Sequence, residues 1–314
     1  MKTPRVGITL GDPRGIGPEV TAAALAEADG IEAVLVGPRG LGEIEDRLPG
    51  VARDRVGDWD PAGGVKLAGE LSGRAIERAV ELAQAGEVDG IVTAPISKTA
   101  LRAAGYPHPG HTEFLQELTG SREVTMMMSA ERTPLGGPLR LALLTAHLPL
   151  RDVPTTLDVE LFACRSRIAI DALRDWWGIE RPRLAFAGLN PHAGEGGLFG
   201  DEEIEVFEPA LERLAVDPDV DLLGIFPGDT VFLKALGGQA DLIVTPYHDV
   251  GLAVLKTIAM NEGVNVTAGL PFPRTSPDHG TAMDIAGRGI ADPGAMRAAI
   301  ALCARFCTAR MATA

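Results

Sequence analysis

Short apolar runs, closed off by Gly, Pro or Asp, alternate with stretches whose apolar residues recur at helical spacing. The runs at 6–10, 33–36, 90–94, 124–129, 141–145, 183–188, 221–225, 242–244 and 264–268 are largely apolar throughout, with little alternation. Strands buried on both faces read this way. Helical spacing predicts helices over 18–28, 73–85, 97–104, from 112 onward, and over 158–176, 204–214 and 293–310. A further helix is predicted near 280–286, and another after the strand at 242–244. Residues 37–72 mix Gly, Pro, charge and short apolar pieces and specify no element. Strand–helix alternation of this kind predicts an α/β protein with mostly parallel sheets.

A chain of 314 residues exceeds what one compact core usually serves, so two lobes are expected. The polar TGSREV segment near 120 offers a boundary. Aromatics are only 4% of the residues, so the core must be built from Ala, Val, Leu and Ile. The net charge of −14 argues against nucleic acid and anionic membranes as partners. No apolar run approaches a membrane span, and the N-terminal MKTPRVGITLGDPRG lacks the apolar core of a signal peptide. A cytoplasmic protein is expected. Three cysteines do not make a disulfide framework, and Cys303 and Cys307 are spaced to share one buried face of the last helix.

The stretch DLIVTPYHDVGLAVLKTIAMNEGVNVTAGLPFPRTSPDHG (241–280) concentrates the polar chemistry. His248 and Asp249 follow a strand, Lys256 lies on the next helix, Asn265 sits within a second strand, and Arg274 lies in a proline-rich loop. Charged groups so close to apolar strands need partners or a ligand. His147, His192 and His248 each stand just past the C-terminal end of an apolar strand. In a parallel sheet those ends share one edge. The three imidazoles are therefore either the ligands of one open metal site or separate loop histidines bonded to backbone. His111 and Thr112 stand at a helix start, where an anion or an ordinary cap would fit. Asp229 in PGDT and Asp249 are candidates for orienting a ligand or relaying a proton. No G-x-G-x-x-G follows a strand, and no P-loop is present.

In order along the chain stand GDPRGIGPE at 11, GHTEFL at 110, TAHLPLRDVP at 145, LNPHAGEGG at 189, YHDVGLAVLK at 247, GVNVTAGLPFPRTSPDHGTA at 263 and then AGRGIADPG. Together they resemble the 4-hydroxythreonine-4-phosphate dehydrogenase (PdxA) family of pyridoxal phosphate biosynthesis. The resemblance implies two α/β/α lobes around a central cleft, similar to the isocitrate and isopropylmalate dehydrogenases. One lobe would comprise 1–119 with 270–314, the other 120–269, and the second would carry most metal ligands. It implies a homodimer with the active site at the subunit interface, NAD or NADP, and one divalent ion among Zn, Co, Mg and Mn. It places the metal on His147, His192 and His248, and substrate on His111, Thr112, Lys256, Asn265 and Arg274. The implied reaction oxidises 4-phosphohydroxy-L-threonine and decarboxylates the product to 3-amino-2-oxopropyl phosphate. Relatives of the family act on 4-phospho-D-threonate, 4-phospho-D-erythronate or aromatic cis-diol acids. Arg14 stands where the family usually has Ala, and Val250 where it usually has Gln.

Overall fold

The computed structural model describes residues 2–42, 47–48 and 50–313. The chain forms two compact units, Met1–Arg122 with Leu270–Ala314, and Glu123–Gly269. Its strands in chain order are β1 (Arg5–Thr9), β2 (Glu32–Arg39), β3 (Ala52–Asp58), β4 (Gly90–Thr93), β5 (Thr125–Ala130), β6 (Leu139–Leu143), β7 (Arg183–Ala187), β8 (Asp221–Phe226), β9 (Leu242–Thr245), β10 (Val264–Ala268) and β11 (Arg274–Pro277).

In the first unit the strands run β3-β2-β1-β4-β11, and every pairing is parallel. The residues facing each way from the central strands are buried, Val6 and Ile8 with Gly7 between them on β1, and Ile91 and Val92 on β4. That two-sided burial is why these strands read as unbroken apolar runs. Helices Gly17–Leu25, Gly64–Gln84, Lys98–Ala103, His111–Thr119 and Gly294–Thr313 complete the unit. Gly64–Gln84 buries Ala68, Leu71, Ala75, Ile76, Ala79 and Leu82, a single helical stripe. Cys303 and Cys307 are free, buried thiols. They press on β4 so closely that a Cβ at Gly90 would lie 2.7 Å from Cys307 Sγ.

In the second unit the order is β10-β5-β6-β9-β7-β8. Here β5 is antiparallel to both of its neighbours, and the other pairings are parallel. The sheet is therefore mixed. Its core gathers Met128, Leu141, Leu143, Ala185, Ile243, Leu252 and Leu255. Helix Val159–Asp175 starts at Asp158, whose carboxylate accepts from Leu161 N at 2.7 Å; this is an ordinary N-cap.

Several sequence expectations are corrected. The segment left without an element contains β3, whose sequence ARDRVGD is charged because it is the edge of the first sheet, where Lys and Arg are tolerated. Residues 43–46 and 49 of that segment lie outside the described residues. The helix expected from 73 begins at Gly64. No helix forms over 280–286, which is a series of turns. The following loop is held instead by Glu19, whose carboxylate accepts from Gly287 N (3.1 Å) and Gly289 N (3.3 Å). Arg274 is not in a loop; it opens β11 and pairs with Ile91 of β4. Prolines at 273 and 277 only bracket this strand, a place where a missing N–H is tolerated. The helix expected over 204–214 begins as a wide π turn, Glu203–Phe207, before Glu208–Leu214. Pro209 supplies no N–H to the turn before it, which interrupts the α-helical ladder there.

Candidate functional site

The polar side chains singled out from the sequence fall into two groups, one in each unit. In the first unit, Arg274 is 2% exposed, and its Nη2 donates to Thr93 Oγ1 at the end of β4. Burial lowers the Arg274 pKa to about 9, opposed by nearby Cys303 and Glu113. An anion beside it would favour the charged form and so be bound in return. His111 is the first residue of helix His111–Thr119, after Gly110 at the N-cap, and Glu113 lies in its first turn. Its Nε2 atom is buried and has no hydrogen-bond partner among the described residues. Burial, and then the Arg274 charge, holds this imidazole well below its ordinary 6.5. It is thus neutral at pH 7, with one buried ring nitrogen unused. Thr112 is the next residue, half-buried in the same helical turn. A buried guanidinium, an unused imidazole nitrogen and the first N–H groups of a helix are groups that could bind a phosphate or carboxylate.

In the second unit, β6, β9 and β7 are consecutive parallel neighbours, so their C-terminal ends share one edge. His147, His248 and His192 follow those three ends. The rings of His147 and His248 lie 5.9 Å apart, tilted by 42°. Two imidazoles that share a cation at bonds of about 2.0–2.1 Å have ring centres roughly 3 Å from it, so this spacing fits one shared ion. His248 begins helix His248–Ala259, and its Nδ1 lies 2.7 Å from Asp249 Oδ1. An ionised carboxylate only accepts, so Nδ1 is the donor, and in the neutral ring Nε2 then carries the lone pair. That arrangement is the usual one for a metal-binding histidine. The two turns are locked together by Thr145, whose hydroxyl (2.8 Å) and backbone N–H (3.1 Å) both donate to Pro246 O. Arg165 donates to Leu144 O on the same strand end.

His192 is elsewhere in this arrangement. Its ring contacts Phe199, centroids 5.9 Å apart, and among the described residues no three His, Cys, Asp or Glu side chains are grouped to hold an ion. Its backbone is left-handed, and so are the next four residues, with φ of 54° at His192, 54° at Ala193, 78° at Gly194, 44° at Glu195 and 67° at Gly196. For residues other than Gly this conformation costs roughly 1–2 kcal/mol each. Of the other expected groups, Asp229 is exposed in the turn after β8, where Gly228 approaches Val250 of the His248 helix. Lys256 is on that helix, two turns and about 12 Å beyond His248. Asn265 is half-buried on β10, opposite Met128.

Three contributors escaped the sequence reading. Thr93 and Thr145 are polar residues closing apolar strands, a signal shared by many structural threonines. Glu203 is buried and bonded to the His192 loop; the acidic pair at 202–203 after a glycine-rich segment was its only trace.

The family model of the pyridoxal phosphate biosynthetic protein PdxA matches residues 47–303. The chain belongs to the PdxA family. It is 41% identical to a 4-hydroxythreonine-4-phosphate dehydrogenase of Beijerinckia indica, over 94% of this chain and 92% of that one. It is 40% identical to a D-threonate 4-phosphate dehydrogenase of Pectobacterium atrosepticum, over 95% and 97%. The structure of the Klebsiella pneumoniae 4-hydroxythreonine-4-phosphate dehydrogenase superposes with a TM-score of 0.83 at 36% identity, covering 97% of this chain and 99% of that one. An isocitrate dehydrogenase from Methylococcus capsulatus shares the fold, with a TM-score of 0.58 at 16% identity, covering 98% and 87%. PdxA membership makes the chain a dehydrogenase, an oxidoreductase of the pyridoxal phosphate pathway family. Among the described residues no helix is long and apolar enough to cross a membrane.

Proposed function

We propose that the chain oxidises the secondary alcohol of 4-phosphohydroxy-L-threonine, with decarboxylation to 3-amino-2-oxopropyl phosphate, in the cytoplasm. The carbon bearing the alcohol gives its hydride to NAD or NADP, and the oxygen gives up its proton. The observation that carries this reading is the His147–His248 pair at a parallel strand edge, with Asp249 on the far nitrogen of His248. His147, His248 and His192 would hold one divalent ion, Zn, Co, Mg or Mn. When bound, the ion supplies Lewis acidity to the substrate hydroxyl and to the carbonyl that replaces it.

The chain's own groups have separate tasks. Asp249 Oδ1 fixes the tautomer of His248. Asp229, exposed in the turn after β8, would accept the hydroxyl proton. Arg274, His111 and Thr112 bind an anionic group of the substrate, Arg274 through its planar fork. Lys256 supplies a second cation and Asn265 an amide for the substrate's polar groups. Because His192 does not join the other two histidines within one chain, a homodimer is proposed in which a second copy completes the ligand set. Leu148, Leu150, Leu198 and Phe199, exposed beside His147 and His192, support such a covering.

A second reading follows from the Pectobacterium relative, whose 40% identity is within two percentage points of the biosynthetic ones. On it the substrate is 4-phospho-D-threonate or 4-phospho-D-erythronate. One experiment decides: NADH or NADPH formation with each phosphorylated acid, with and without divalent metal. Metal-dependent turnover of 4-phosphohydroxy-L-threonine above the others is expected. Preference for 4-phospho-D-threonate replaces the first reading with the second, and turnover unaffected by a chelator overturns both.

A further inference from the structure

Glu203 is 3% exposed, yet it is a carboxylate. A buried carboxylate needs donors, and the loop that carries His192 supplies them. Oε1 accepts from Leu189 N and from Asn190 N, each at 2.8 Å. Oε2 accepts from Asn190 Nδ2 at 2.9 Å, and the neighbouring Glu202 accepts from the same amide at 2.6 Å. The carboxylate also lies against the left-handed run itself: a Cβ at Gly194 would stand 2.8 Å from Glu203 Oε2. Glu203 reaches this position from the π turn Glu203–Phe207, and π turns recur at functional sites.

The loop needs such a hold. Left-handed backbone at His192, Ala193 and Glu195 does not persist unless its surroundings impose it. Asn190 is the last residue before the turn, and Ala193 N donates back to Asn190 O at 3.1 Å. The two backbone N–H groups that Glu203 binds therefore set where the left-handed run begins and where His192 is presented.

We propose that Glu203 is a positioning residue for His192, holding the strained loop in the geometry that lets this imidazole bind the catalytic metal. This rests on the reading of His192 as a ligand, and the test separates the two. The variants are Glu203→Gln, Glu203→Asp, Glu203→Ala and His192→Ala. The readouts are Co2+ affinity of metal-free protein against a competing chelator, and hydrogen exchange at the Leu189 and Asn190 amides. Glu203→Gln keeps an oxygen at full reach of the Leu189 and Asn190 N–H groups but turns an NH2 toward Asn190 Nδ2, so it should lose less Co2+ affinity than the shorter variants. Glu203→Asp keeps the charge but falls one methylene short. Together with Glu203→Ala it should weaken Co2+ binding roughly 10- to 100-fold, as loss of a ligand's outer partner does, and speed exchange at both amides. Adding Glu203→Ala to His192→Ala should bring no further loss of affinity.

Should Glu203→Ala not fold, the Asp and Gln variants decide alone. Affinity that follows reach supports the proposal, and affinity that follows charge overturns it. Weakened binding in His192→Ala with unchanged binding in every Glu203 variant, or losses that multiply in the double variant, overturns the positioning role only. Wild-type Co2+ affinity in His192→Ala overturns the metal-site reading and this inference with it.

Discussion

The two units treat their polar groups in opposite ways. The first hides them: Arg274 is among the largest fully buried side chains, and His111 keeps a buried, unused ring nitrogen. The second leaves His147 and His192 exposed at strand ends, with His248 only partly covered. Burial disfavours the charged form of Arg274, so an anion that joined it there would favour that form and be bound in return. Exposed imidazoles cost the fold little, and an ion gains by binding them. Substitutions at these groups in the first unit should therefore trade binding against stability, whereas substitutions at the exposed histidines of the second should change metal binding alone.

The largest effect tests the second half of that contrast. His248→Ala should lower metal affinity and metal-dependent turnover by more than the roughly 100-fold typical of losing an outer partner. Its metal-free thermal midpoint should match wild type. A large fall in that midpoint would mean that His248 is a structural residue and would remove the contrast. Next comes Arg274→Met. It should raise KM for the phosphorylated substrate roughly 10- to 100-fold, the size of one lost charge-assisted interaction. Its ligand-free thermal midpoint should stay level or rise, because an apolar side chain of similar length replaces a buried charge. Inorganic phosphate should raise the midpoint of wild type and not of the variant; equal response in both would place the anion pocket elsewhere.

Asp249→Asn should weaken metal binding about tenfold, at the low end for a second partner of a metal histidine. The carboxylate is 86% exposed, which limits its influence on His248. Co2+ titration of the variant checks this. The smallest effect sharpens the first half of the comparison. The folded His111 imidazole titrates well below 6.5 because it is buried beside Arg274, while the unfolded one takes up a proton near 6.5. The unfolded state then binds more protons, so stability is lost as pH falls below about 6.5, by at most about 1.4 kcal/mol per pH unit from this residue. His111→Gln should remove that contribution, seen as a shallower pH dependence of denaturant unfolding in the difference from wild type. An unchanged slope would mean that His111 is solvated.

Much of the placement of the candidate residues was legible in the sequence because strands buried on both faces are hard to miss. The apolar runs before His147, His192 and His248 locate β6, β7 and β9, and parallel pairing puts their ends on one edge. Harder to read was β3, since an edge strand carries charges like those of a loop. Arg274 looked like a loop residue because prolines bracket a strand of only four residues. Turn-forming glycines and an apolar residue or two made 280–286 resemble a helix start, while Glu19, far away in sequence, holds the loop that follows.

Local pattern thus determined the α/β class, the strand ends and the chemical identity of the groups placed there, because burial on both faces and the turn residues that end a strand act within a few positions of each other. Only tertiary structure decided which histidines meet, which nitrogen of His248 stays free, that Arg274 is buried, and that Glu203 grips the His192 loop. Those outcomes depend on distances between residues far apart in the chain, and on how much water the packed fold leaves around each charge.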